Sequence, residues 1–389
     1  MPGLSRFVSL TRRTANRLLG NAPWRVQPLA TLCSLRRDEW RAGAELPENF
    51  SGVLATEETE AWFHPAPAPL AELVPTRRQV LPDGPRFLAG GIIPRHPIRV
   101  WTLTDVICSG ENGVVWCPRL RMAVAETARD WRAPAGEHSL LGVVRRRQSV
   151  FLPGLSLHLP VLGGTGFYHF LHESAPRLEL ARAWLPRVAH VLVTGPRDRG
   201  REGWLEQAGV SPDKLVWVDA LDWYHCEQLI SSDLPIPTVC PVPSHLQRLQ
   251  RLFQVTPGPA RRNLWISRAD ASQRHLGWED QLLGHLPWLE KVTLSEMPAA
   301  AQLALFREAA LIVAPHGAGL ANLAWVPPGG SLVEFFPPDH PLDPCYARLA
   351  GAAGWRYAWI TADFRSPPDT AVLARLLTDF LRKSAPGVP

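Results

Sequence analysis

The sequence predicts an α/β fold built as two Rossmann-like domains, each around a parallel sheet, facing a cleft. Three observations predict it. From about residue 262 onward, short apolar β-type runs alternate with helical segments, which is how a parallel sheet covered on both faces reads. A shorter passage of the same kind runs through "HVLVTG" (190–195) and "KLVWVD" (214–219). Between the two, "VTPGPARR" (255–262) holds two prolines and a glycine, the composition of a linker. At 389 residues and 46% hydrophobic content the chain has the length for two domains and the apolar side chains for a sizeable core.

Taken in order, residues 1–75 show no alternation and are read as an N-terminal extension of unknown structure. Within them "FHPAPAPLAELVP" (Phe63 to Pro75) is read as a rigid, proline-dense connector. The first domain spans 76–254. It opens on the β-type runs "IRVWTL", "GVVW", "RMAVAE" and "SVFLPGLSLHL" and turns helical near 165. The two buried strands at 190–195 and 214–219 are joined by "GWLEQAG", a short helix closed by Gly209. "PSHLQRLQRLFQ" (243–254) carries helical spacing at Leu246, Leu249, Leu252 and Phe253. The second domain spans 255–389. Its strands are "NLWIS", "EKVTLS", "ALIVA", "SLVEFF" and "WRYAWI", and a helix follows each, the last being "DTAVLARLLTDFLRK". In such sheets ligands bind outside the carboxyl ends of the strands.

Composition narrows the partners. The net charge of +5 is modest for this length, and the densest basic run, "RRRQ" (Arg145 to Gln148), has no aromatic stacking motif beside it, so no nucleic-acid partner is expected. Six cysteines (Cys33, Cys108, Cys117, Cys226, Cys240, Cys345) show neither a CxxC pair nor metal-ligand spacing and read as thiols of a reducing compartment. No apolar stretch approaches a membrane span. The first 20 residues interleave Arg6, Arg12, Arg13 and Arg17 with Phe7, Val8, Leu10, Leu18 and Leu19, without the apolar core of a secretion signal. They read as a frayed surface helix or as a basic amphipathic helix in peripheral contact with anionic lipid. A cytoplasmic protein, at most peripheral at the inner face of the membrane, is expected.

Three stretches hold residues suited to chemistry. "APHGAGLANLAW" (314–325) sets His316, Gly317, Ala318 and Gly319 between an apolar strand and a short helix, a turn that offers backbone N–H groups and a helix dipole to a diphosphate. It lacks the GxGxxG and GK[ST] of the two common phosphate loops. A tight turn with a hydrogen-bonding histidine is the plainer alternative. "LWISRADASQRHL" (264–276) puts Arg268 at a strand end and Arg274 in the following loop, where both suit phosphate oxygens. "GTGFYHFLHESAPRLEL" (164–180) places His169, His172 and Glu173 on one helical face, just before Pro176 interrupts the helix. A carboxylate tuned by an adjacent imidazole suits general-base work, and such a pair is also a common structural contact.

These stretches resemble glycosyltransferase family 61. "APHGAGLANLAWVPPGGSLVEFFP" is similar to the family's P-H-G-A-G-L, N-L and P-P-G followed by V-E-F-F-P. "LWISRADASQRHL" is similar to its I-S-R-x-D-A-x-x-R. "FYHFLHESAPRL" is similar to its Y-H-W-x-x-(D/E)-x-x-P-R-L, and all three come in the family's order over roughly 160–340. Two positions depart from the pattern: Phe170 stands for the family's Trp, and His275 for its second Arg.

The resemblance implies a GT-B-type architecture, with 76–254 on the acceptor side and 255–389 binding the nucleotide sugar. It implies an inverting glycosyltransferase that moves a sugar from a nucleotide sugar to a glycan or lipid-linked glycan, in bacterial capsule or exopolysaccharide synthesis. By motif match the donor-diphosphate set is His316, Gly317, Ala318, Gly319, Asn322, Arg268 and Arg274, with Glu173, His169 and His172 as catalytic residues. No cofactor is expected. The chain has no D-x-D carboxylate pair, so no obligatory metal is expected either. The alternatives are a non-catalytic, sugar- or nucleotide-binding scaffold of polysaccharide assembly, and a nucleotide-sugar epimerase.

Overall fold

The computed structural model describes residues 25–27, 51–64, 68–73, 91–110, 113–120, 122–128, 148–219, 221–236, 240–340 and 343–382. The N-terminal 1–20, Cys33 and residues 145–147 of the basic run lie outside them. Among the described residues no helix is long and apolar enough to cross a membrane.

The fold is mixed α/β and divides into two compact units, 1–58 with 97–235 and 59–96 with 236–389. The division falls before the helix Pro243–Phe253 rather than after it. The reason is packing. The ring of Phe253 lies 5.2 Å from that of Trp325, and Gln250 Nε2 donates to the Ala324 carbonyl at 2.9 Å, so this helix is part of the second unit's core. "VTPGPARR" is accordingly an internal connection of that unit. Gly258 N–H is held by the Arg307 carbonyl at 2.7 Å and Arg261 N–H by that of Glu308 at 2.9 Å.

In the second unit six parallel strands lie in the order Glu290–Val292, Arg262–Ile266, Ala309–Pro315, Ser331–Phe336, Arg356–Thr361, Ala68–Glu72. Ala309–Pro315 and Ser331–Phe336 are buried along their whole length, as strands sandwiched between helical layers must be. One face packs Trp265, Val313, Val333, Phe335 and Ile360 against Leu282 and the apolar stripe Leu373, Leu377 and Leu381 of the C-terminal helix. The sixth strand overturns the rigid-connector reading of "FHPAPAPLAELVP". Proline cannot donate to a ladder, yet Pro69 is tolerated because, among the described residues, this strand is at the edge and pairs only with Arg356–Thr361.

After Arg262–Ile266 the chain moves to one side, to Glu290–Val292, and then returns across to Ala309–Pro315 on the other. The direction of winding therefore reverses between Arg262–Ile266 and Ala309–Pro315. A crevice opens at the carboxyl ends of two strands whose connections diverge in this way.

The first unit departs from the Rossmann-like expectation. Among the described residues its sheet has nine strands and is mixed. Trp223–Ser232, Ser149–His158, Val188–Thr194 and Leu215–Val218 run parallel. Pro97–Ser109 joins Trp223–Ser232 antiparallel and carries Gly52–Glu58 and Val114–Cys117 antiparallel in turn. A Rossmann-like pattern needs a helical crossover between neighbouring strands, and short turns such as Gly110–Gly113 permit only antiparallel neighbours. The core strand Trp223–Ser232 was not legible in the sequence. Its "WYHCEQLISS" mixes polar residues with apolar ones, although Gln228, Ser231 and Ser232 are all buried.

Candidate functional site

Each unit gathers candidate residues at the carboxyl ends of its parallel strands. In the second unit, Arg262–Ile266 ends in Ser267 and Arg268, and Ala309–Pro315 ends in His316 and Gly317, so the two stretches meet at the reversal of winding. The contact is close. A Cβ on Gly317 would lie 1.9 Å from Nη1 of Arg268. Gly317 is extended, with φ 177°, so its need for glycine is the approach of Arg268 and not a left-handed backbone. A Cβ on Gly319 would lie 2.8 Å from Leu294, a packing reason. At both glycines the close approach of a side chain, not a left-handed backbone, sets the position apart.

Beyond the turn, Ala318–Trp325 is a 3₁₀ helix whose first backbone bond runs from Leu320 N–H to the Gly317 carbonyl. The N–H groups of Gly317, Ala318 and Gly319 precede that ladder, as the first donors of any helix do. Arg268 donates from Nη2 to the Gln273 carbonyl at 3.0 Å, which folds the loop back over it. Arg274 holds a left-handed backbone, φ 59°, and donates from Nη1 to Nε2 of His340 at 2.8 Å. Among the described residues neither arginine has a carboxylate partner in an ion pair. Burial, and then the neighbouring Arg274 charge, lower the Arg268 guanidinium from its ordinary value. Two half-buried cations that repel each other make a place for an anion.

His316 is buried, its ring 5.0 Å from Phe336, 4.5 Å from His340 and 5.2 Å from Tyr346. Its Nδ1 lies 2.5 Å from Oε1 of Glu334, and Tyr357 donates its hydroxyl to Oε2 of the same carboxylate at 2.7 Å. Glu334, Tyr357, His340 and Tyr346 were missed by sequence reasoning. The signal that was available is Glu334 itself, a carboxylate inside the apolar strand "SLVEFF", where an unpartnered charge would be costly. Asn322 lies inside the turn. Its amide donates to Gln302 Oε1 at 2.9 Å and to the Gly319 carbonyl at 3.1 Å, and its oxygen accepts from Trp325 Nε1 at 3.0 Å. Fully buried, its side chain is engaged by the turn's own frame.

In the first unit the helix after Ser149–His158 begins as Phe167–His169, passes through a π turn over Phe170–Ser174, and resumes as Pro176–Leu180. Pro176 lacks the N–H that would close a regular turn, and Ala175 N–H bonds the Phe170 carbonyl at 2.8 Å instead. The π turn brings Nδ1 of His169 to 3.1 Å from Oε2 of Glu173, an ion-pair distance. Glu173 is 2% exposed, and its Oε1 has no hydrogen-bond partner among the described residues. His172 is fully buried and stacked on Tyr168 at 4.8 Å, which makes it part of the helix's packing.

Beneath this helix, His158 Nε2 hydrogen-bonds the Gly113 carbonyl at 2.6 Å. Its Nδ1 lies 3.1 Å from Ser231 Oγ and 3.2 Å from Nη1 of buried Arg177. Burial and the Arg177 charge lower His158 to about 3, so it is a neutral strut tying two parallel strands to the helix that carries Glu173.

Residues 167–333 match the family described as Glycosyltransferase 61. That stretch is similar to glycosyltransferase family 61. It contains His169, His172 and Glu173 as well as Arg268, Arg274 and the His316 turn. The chain is also similar to the EGF domain-specific O-linked N-acetylglucosamine transferase of Drosophila melanogaster, 31% identical over 130 residues. The match covers 32% of this chain and 24% of that protein, so the chain spans about a quarter of the length of its curated relative.

Proposed function

We propose that this chain is an inverting glycosyltransferase whose second unit holds the diphosphate of a nucleotide-sugar donor. The observation that carries the proposal is the meeting of Arg268, Arg274 and His316 where the winding of the sheet reverses, with no carboxylate ion-pair partner for either arginine among the described residues. Cations and N–H donors fixed before the reaction stabilise the negative charge that builds on a leaving diphosphate. The family 61 match over the same residues supports the reading. The fixed cations perform the neutralisation for which other glycosyltransferases use a divalent ion, so no metal is required.

In this reading Glu173 takes the proton of the acceptor hydroxyl as that oxygen attacks the anomeric carbon, and the nucleoside diphosphate leaves from the opposite face. His169 orients the carboxylate through Oε2, and the unpartnered Oε1 is the oxygen left to receive the proton. The acceptor is a glycan, a lipid-linked glycan in capsule or exopolysaccharide synthesis being the first candidate. The name of the Drosophila relative adds a second reading, transfer of N-acetylglucosamine to a protein acceptor.

A screen of nucleotide sugars, including those of N-acetylglucosamine, should find one donor that raises the melting temperature and releases nucleoside diphosphate only with acceptor present. Product mass then identifies the sugar. Binding without release of diphosphate would favour a scaffold role, and a free isomerised nucleotide sugar would favour an epimerase.

A further inference from the structure

Glu334 lies within the strand Ser331–Phe336 with no exposed surface, and its two oxygens serve two partners. Oε1 lies 2.5 Å from Nδ1 of His316, and Oε2 accepts the Tyr357 hydroxyl at 2.7 Å. A buried carboxylate persists when its oxygens are occupied by donors, and here both are. Burial pushes the carboxyl up, while His316 and the two hydrogen bonds hold it down. His316 in turn is hydrogen-bonded through Nδ1 alone among the described residues, which leaves Nε2 to meet a ligand.

We propose that Glu334 is a positioning residue for His316: it grips the ring by Nδ1 and stabilises the imidazolium form that donates from Nε2 to the leaving diphosphate. The inference rests on the donor-site reading above and deepens it. Which ring nitrogen faces a ligand is set by the hydrogen bond the other nitrogen makes, and a carboxylate behind the ring favours the charged form.

The surroundings contain other groups that bear on that charge. The neighbouring strand contributes Tyr357, and the helix Cys345–Ala352 contributes Cys345 and Tyr346, both neutral because burial raises them well above their ordinary values. His340 lies against the imidazole face, and Asp343 acts on Glu334 from the segment just before that helix. Arg268 reaches Gly317, and Arg274 is bound to His340. Glu334 is the one carboxylate in direct contact with the ring among the described residues.

The test uses the full chain and ¹⁵N spectra of its imidazoles, with the His316 signals identified by their loss in His316→Gln. Glu334→Gln keeps the shape and removes the charge, so the His316 titration midpoint should fall. Tyr357→Phe removes a hydrogen bond from the carboxylate and leaves it more basic, so the midpoint should rise. Opposite shifts are the expected result, and a purely structural role for Glu334 predicts neither. An unmoved midpoint in both variants overturns the proposal. If Glu334→Gln does not fold, the rise in Tyr357→Phe carries the test, and no rise overturns it.

Calorimetry with inorganic pyrophosphate and a nucleoside diphosphate forms the second arm. Glu334→Gln should weaken binding by about tenfold or more, the scale of a charged hydrogen bond, and add nothing in a His316→Ala background. Additive losses overturn the coupling. A wild-type protein that binds neither probe sinks the donor-site reading instead, and the spectra still decide whether Glu334 controls His316.

Discussion

Arg268, His316 and Glu173 carry the proposed chemistry, and each makes a different prediction when removed. Arg268→Ala should weaken nucleoside diphosphate binding and slow turnover with little change in melting temperature, because its side chain is half-buried and outside the apolar cluster of its unit. His316→Ala should do the same and also lower the melting temperature, because it strands buried Glu334. Calorimetry that finds the affinity unchanged in both variants would remove them from the donor site. Glu173→Gln keeps the shape of a buried side chain but cannot take a proton. Its kcat should drop by about 10²–10⁴, the usual range of a general base, with donor affinity kept. If the loss follows unfolding instead, Glu173 is only the partner of His169.

At the scale of elements, the 3₁₀ helix Ala318–Trp325 and the turn before it depend on an internal frame. Asn322 is its centre, bonded to Gln302, Gly319 and Trp325. Asn322→Ala strands Gln302 Oε1 and the Trp325 indole in the interior, at about 1–3 kcal/mol for each buried group left unsatisfied. A scanning melt should fall by ~2–4 °C for each kcal/mol lost, with diphosphate affinity close to wild type. Full stability with lost affinity would place Asn322 in the ligand site. The π turn of Phe170–Ser174 depends on its frame too, the His158 strut below it. His158 has its folded value lowered to about 3 from an ordinary 6.5, so the unfolded chain takes up the proton first. That contribution to stability is complete above about pH 6.5 and is lost as pH falls toward 3, at about 1.4 kcal/mol per pH unit. The melting temperature should therefore drop more steeply between pH 6.5 and 5 in the wild type than in His158→Gln. Equal slopes would locate the acid sensitivity elsewhere.

For the molecule as a whole, the proposed chemistry requires the charge of a leaving diphosphate to be neutralised in the second unit. Fixed cations neutralise it, so a chelator should leave most of the turnover intact. Complete loss on chelation, restored by Mn²⁺, would show that Arg268, Arg274 and His316 do not suffice. His64, in the second unit, is lowered to about 4 by burial and the nearby Arg348 charge, and it makes that unit sensitive to acid in the same direction as His158 makes the first.

The sequence by itself determined the alternation of strands and helices from Arg262 to Arg382, because the central strands there are apolar runs and the longer helices carry an apolar stripe of their own period. It also determined the three motif stretches, since Arg268, Glu173 and the His316 turn are chemical types at set spacings. What it could not carry was pairing across distance. Pro69 reads as a linker until Arg356–Thr361 provides an edge for it, and "WYHCEQLISS" gives no strand pattern until two strands bury it. The division of the chain before Pro243 depends on Phe253 meeting Trp325, a contact between residues 72 positions apart. Tertiary structure alone decided that Glu334 backs His316 and that Arg268 fills the space above Gly317. The local pattern reports what a residue would bury, and only the folded neighbours show what it is buried against.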